Sequence, residues 1–315
     1  MTDKPSSPKV HPAEFDELNR RFYSRPGPNE YFDNRFTALV RHLGRELPTE
    51  KTEYKYGELS VIVGPGDSSS DDGPDTEERD RFAALDATVL LHHASESLAR
   101  LYLAHADRNP CPWVALAEMK QPRVFPAKLR SLRDRLQDGD AELLDDLMEV
   151  FTYSKTYKAW GDTATPESWA QHREAIAVLM EFAVTRLLDD SNLYNSAKHG
   201  FGVSAGEAGL AFGDLIKHDG PAISFLDYSP RADTPWSLST TWVDPERYLA
   251  SVFLISQQLA NLWNCARAHY RHEKRGPFGI ANLDPESVRK AIRDAAPGFH
   301  VSTMAMSLYV ETTTD

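Results

Sequence analysis

The stretch LLHHASESLAR sets His92 four residues and His93 three residues ahead of Glu96, with Arg100 a further turn on. On a helix these spacings bring the groups to one face. Paired on a buried face, His93 and Glu96 could hold a divalent metal or transfer a proton, the core of a metal-dependent hydrolase. Such a site needs a third ligand, and no motif designates one. Asp86, His93, Glu96 and Arg100 also line one stripe of mixed charge, and a stripe of that kind is ordinarily a solvated helix face. The solvated face is the simpler account.

A second group lies at SNLYNSAKHGFGV, residues 191–203. The apolar period from Pro166 onwards predicts one helix running to His199. Glu174, Glu181, Thr185, Asn192, Asn195 and His199 fall on its polar side. A ligand site on Glu181, Asn192, Asn195 and His199 requires that side to face a concavity. The end of the helix explains part of the motif by itself. Lys198 and His199 suit the negative end of the helix dipole, and Gly200 suits a left-handed C-cap. Asn192, Tyr194 and Asn195 remain after that account, since Asn is a poor helix former.

The third group is RAHYRHEKRG, residues 267–276, the densest positive patch in the chain. Arg267, Arg271, Lys274 and Arg275 offer phosphate contacts to RNA, and Tyr270 a stacking face. Cations at a helix C-terminus are the plainer explanation. Arg267 and His272 also stand in an R-x4-H spacing, which resembles that of the HEPN ribonucleases. These are metal-independent helical bundles in which Arg and His act on the scissile phosphate. The resemblance implies His272 as general acid or base and Arg267 as stabiliser of phosphate charge. Comparable spacings at Arg35–His42 and Arg100–His105 are as many as composition alone yields. The resemblance therefore carries the helical-bundle expectation and leaves the ribonuclease as an alternative.

Other chemistries find no foothold. The sequence has no GxxxxGK[ST], no GxGxxG after a strand, no GxSxG and no HExxH. Cys111 and Cys265 are the only cysteines, outside any CxxC, and read as small buried hydrophobes. No cofactor is designated. With each catalytic set incomplete, the leading expectation is a protein that binds a protein partner or a small ligand without catalysis. Self-association is compatible with it.

The elements that must position these groups are mainly helical. Short helices are expected over 12–22 and 30–46, and a strand over 52–63. Longer helices are expected over 80–106, 126–137, 140–152, 166–199 and from Pro245 to Tyr270, with another opening at Asp284-Pro285-Glu286. Thr165-Pro166, Asp244-Pro245 and Asp284-Pro285 each combine a capping side chain with a proline at the first helical position. Between them, 201–214, 222–229 and 236–243 are short β-like runs split by Gly, Pro and Asp. The fold class is thus mainly α: a multi-helix bundle with a small antiparallel β element over about 201–243, with 52–63 and 300–310 as candidate further strands.

The charge is unevenly placed. Asp67, Asp71, Asp72, Asp75, Glu77, Glu78 and Asp80 face one Arg79, so 66–80 supplies −6 of the chain's −12. That stretch predicts an acidic linker over 66–79, between an N-terminal α/β segment (1–65) and a helical bundle with β insertion (80–311). The mildly acidic remainder argues against a general nucleic-acid binder. The polar start MTDKPSSPKV and the lack of any run near the ~20 apolar residues of a membrane span predict a cytoplasmic protein.

Overall fold

The computed structural model describes residues 10–44, 52–56, 59–63, 76–160, 164–198, 202–212, 216–228, 236–272, 284–295 and 300–303. Of the linker expected over 66–79, residues 66–75 lie outside them and 76–79 are helical, and His199 and Gly200, Lys274 and Arg275, and the apolar run after Thr303 lie outside as well.

The chain is mainly helical with a small four-stranded antiparallel sheet. In order, the helices are α1 (Phe15–Tyr23, after a 3-10 turn at Pro12–Glu14), α2 (Pro28–Leu43), α3 (Thr76–His105), α4 (Pro112–Glu118), α5 (Val124–Gln137), α6 (Ala141–Thr152), α7 (Pro166–Asp189), α8 (Ser191–Lys198), α9 (Pro245–Tyr270) and α10 (Pro285–Ala295). Further 3-10 turns lie at Ala106–Arg108 and Tyr157–Trp160. Strands β1 (Thr52–Tyr56) and β2 (Leu59–Val63) form an antiparallel hairpin in register Tyr56↔Leu59. Strands β3 (Val203–Phe212), β4 (Ile216–Tyr228), β5 (Trp236–Trp242) and β6 (His300–Thr303) make the larger sheet in that order.

Two compact units divide the chain: Met1–Asp33, His92–Ser191 and Ser251–Arg293 in the first, Asn34–Leu91, Asn192–Ala250 and Asp294–Asp315 in the second. In the first unit α7 packs against α5 and α6. Leu98, Tyr102, Leu143, Leu147, Met148, Phe151, Ile176, Leu179, Met180 and Val184 are buried there. In the second unit β4 pairs with β3 from Val203↔Phe225 to Phe212↔Ile216, and with β5 from Ala222↔Trp242 to Tyr228↔Trp236. Trp242 Nε1 donates to the Ala208 carbonyl at 2.7 Å, tying β5 to β3 across the sheet.

The proline start signals act as the sequence predicts. Thr165 caps α7 in a reciprocal capping box with Ser168. Asp244 Oδ1 accepts from the Glu246 and Arg247 amides at the head of α9, and Asp284 Oδ2 accepts from the Ser287 amide in α10.

Helix α4 lies where no helix is expected, and three expected elements take another form. The helix expected over 166–199 is two helices, broken at Asp190. Asp189, Asp190 and Ser191 favour caps over helix interiors, and Asp190 turns back to the buried Arg186 at 3.3 Å. The run 52–63 is a hairpin paired with itself, from Thr52↔Val63 to Tyr56↔Leu59. Helix α3 starts at Thr76, ahead of the expected Asp80, since Glu and Arg are good helix formers.

Candidate functional site

The ends of helices build the most elaborate polar site among the described residues. Helix α3 ends at His105, α6 is followed by Tyr153, and α9 ends at His269 and Tyr270. All four side chains line one cavity of about 480 Å³, together with Arg108, Asn109, Pro110, Asp146, Glu149 and Val150. A second cavity of about 220 Å³ shares Pro110, His269 and Tyr270 with the first and adds Asp16, Asn19, Arg20 and His272. Both belong to the first unit.

A chain of hydrogen bonds fixes the wall between them. Tyr23, the last residue of α1, is fully buried, and its hydroxyl lies 2.6 Å from His105 Nε2. Burial, reinforced by the neighbouring Tyr153 and Tyr270, pushes the Tyr23 phenol well above its ordinary pKa, so it keeps its proton. That enclosed proton goes to Nε2. The imidazole proton then sits on Nδ1 and is donated to the Tyr153 hydroxyl, 2.8 Å away. Hydrogen bonding with Tyr153 opposes the rise that burial causes in the Tyr270 phenol. Tyr270 ends the chain weakly on the Asn109 carbonyl at 3.5 Å.

Aromatic packing holds the same groups. The Tyr23 and Tyr270 rings stack at 5.0 Å and 5°, Tyr23 lies 4.9 Å from Trp263, and His269 lies 5.1 Å from Tyr153. Gly27 admits Trp263, since a Cβ there would lie 2.8 Å from its ring. His105 stands at a helix C-terminus, which favours a cation. Burial outweighs that effect and, with His269 nearby, lowers its pKa to about 3. His105 is therefore a neutral hydrogen-bond bridge, not a charged group.

Backbone strain gathers in the same place. Arg108, Tyr153 and His272 have φ of 52°, 50° and 54°; Arg108 closes the 3-10 turn Ala106–Arg108, and Tyr153 and His272 follow the ends of α6 and α9, where glycine is usual. A left-handed non-glycine residue costs about 1–2 kcal/mol. Arg108 is expected to show this most cleanly, because its ion pair with Glu149 is exposed and adds little. Replacing Arg108 with Gly is expected to raise stability by about 0.5–1 kcal/mol in urea unfolding, the relief of strain exceeding the entropy that glycine loses. An unchanged or lowered stability would show that Arg108 is not strained.

The residues singled out by sequence fall in several places. Glu96 is bound to Arg100 at 2.6 Å, and Arg100 also reaches the Met119 carbonyl and covers the Phe125 ring at 3.8 Å. His93 is half-buried one turn away. No group of three or more His, Cys, Asp or Glu able to hold a metal occurs among the described residues. Asn192 and Asn195 on α8 are exposed, and Asn192 donates to Asp227 Oδ1 at 3.1 Å. Tyr194 is buried, with the Lys198 ammonium 5.5 Å from its ring. Glu181 is half-buried on α7. Arg267 is half-buried on α9, and His272 lines the smaller cavity. Cys111 and Cys265 are buried free thiols. No helix among the described residues is long and apolar enough to cross a membrane.

Tyr23, His105, Tyr153 and Asn19 were not marked by sequence as a site. One signal was available: α6 is followed by Tyr153, and α9 by Arg271 and His272, with no glycine or asparagine at either cap. No known protein family, curated protein or solved structure matches the chain.

Proposed function

We propose that this protein binds a small polar ligand, without catalysis, in the cavity between the ends of α3, α6 and α9. The observation that carries this reading is the coincidence of strain and cavity. Arg108, Tyr153 and His272, all left-handed, line the two adjoining cavities. Strain of this kind persists where side-chain placement matters more than backbone comfort, and it gathers at ligand clamps. The hydrogen-bond chain from Tyr23 supports the same reading, because it presets the orientation of Tyr153 and Tyr270 and so lowers the ordering cost of binding.

The test is a screen of polar fragments against the full chain by protein-observed NMR, with ring resonances of His105, His269 and Tyr270 as reporters. Binding is expected to shift those signals. Tyr153→Gly keeps the left-handed backbone and removes the ring, and it is expected to weaken binding by about tenfold. No fragment bound at these residues would overturn the reading. Cleavage of bulk RNA in EDTA, lost in His272→Ala, would replace it with the ribonuclease that Arg267 and His272 suggest.

A further inference from the structure

From this ligand-binding reading we infer that the smaller cavity takes a protonated primary amine, which donates to Asn19 Oδ1. Asn19 is only 2% exposed, and its Nδ2 donates to the Pro110 carbonyl at 2.8 Å. That carbonyl can only accept, so the amide orientation is fixed and Oδ1 faces the other way. Oδ1 is buried and has no hydrogen-bond partner in the protein. A buried acceptor left unmade costs free energy, and this one belongs to a residue that lines a cavity. The missing group is a hydrogen-bond donor.

The surroundings favour a donor carrying positive charge. Asp16, one turn before Asn19 on α1, lines the same cavity, while Arg20 is already paired with Glu17 at 3.3 Å. The Tyr270 ring offers an aromatic face, on which a cation is favoured. Helix α9 closes at this wall with its carboxyl end, so the negative end of its dipole borders the site. The amino end of short α4 follows Pro110, and there the Cys111 amide is already taken by Asn109 Oδ1 at 3.0 Å.

The probe is n-butylamine, compared with n-butanol on the full chain at pH 7 by NMR titration. The amine is expected to shift the Asn19 side-chain amide and to bind about tenfold more tightly than the alcohol. Asn19→Leu is expected to weaken the amine by at least about tenfold. Because that change also removes the bond to Pro110, Asp16→Asn, on an exposed residue, serves as the second variant. It is expected to weaken the amine about threefold and leave the alcohol unchanged. Equal binding of amine and alcohol, or an amine affinity that survives both substitutions, overturns the proposal. If other fragments bind at His105 while butylamine does not, the amine assignment falls and the ligand-binding reading stands. If nothing binds at either cavity, both fall.

Discussion

Acidification from pH 7 to pH 4 is expected to remove about 3 kcal/mol of stability through each of two buried histidines, His105 and His172. Both are almost fully enclosed. Burial lowers His105 to about 3, with His269 adding to the effect, and lowers His172 to about 4. The unfolded chain takes up protons at both near its ordinary pKa of about 6.5, and the folded chain does not. Stability is therefore complete above about pH 6.5 and falls as the pH drops. The loss from His172 levels off near 4, and that from His105 near 3. The slope in this window is steepest at about 2.7 kcal/mol per pH unit with both histidines contributing. Since a domain has about 5–15 kcal/mol in total, a large share of the folded population should be at risk at pH 4. Urea unfolding across pH 7 to 4 measures the slope. Replacing His172 with Leu should remove its part of the slope. A stability that stays flat from pH 6.5 to 4.5 would mean that neither imidazole is held neutral.

How much of this was legible in sequence differs sharply between scaffold and site. Helix starts at Pro166, Pro245 and Pro285 were readable because a cap and a proline are local signals, complete within four residues. The sheet was readable because alternation and turn residues are local as well. The break at Asp190 was harder, since the apolar period continues across it and only the poor helix propensity of Asp-Asp-Ser argues for a stop. The site was readable only in part: the basic stretch after Arg267 drew attention to Tyr270 and His272, which line the cavities, but not to their partners. His105 lies in the helical run LYLAHA and looks like one more surface position at a helix end. Its partners Tyr23 and Tyr153 are 82 and 48 residues distant in sequence and come from different helix termini. No spacing rule spans such separations. Asn19 was equally silent, because an unmet acceptor is defined by the absence of a neighbour in space. The asparagines that capping rules left over, Asn192 and Asn195, are exposed on α8, with Asn192 bound to Asp227.

Replacing His105 with Ala is expected to lower stability by about 3–5 kcal/mol, because a cavity and two broken hydrogen bonds add together. The Tyr23 hydroxyl would suffer most. It is wholly enclosed and donates to Nε2 at 2.6 Å, so the loss of the imidazole strands a buried donor. Tyr153 borders the cavity, where water can replace the lost bond. The two tyrosines should therefore respond unequally, and a double-mutant cycle separates them. Tyr23→Phe alone strands Nε2, and His105→Leu alone strands the phenol. Together they leave neither group behind, so the double variant should be less destabilised than the two single losses combined, by about 1–3 kcal/mol. The same cycle with Tyr153→Phe should give a smaller coupling, below about 1 kcal/mol. Urea midpoints at unchanged slope provide the measurement. Losses at Tyr23 and His105 that simply add would show that the 2.6 Å contact does not hold the wall together. A coupling at Tyr153 as large as that at Tyr23 would show that its hydroxyl is as closed to water as that of Tyr23.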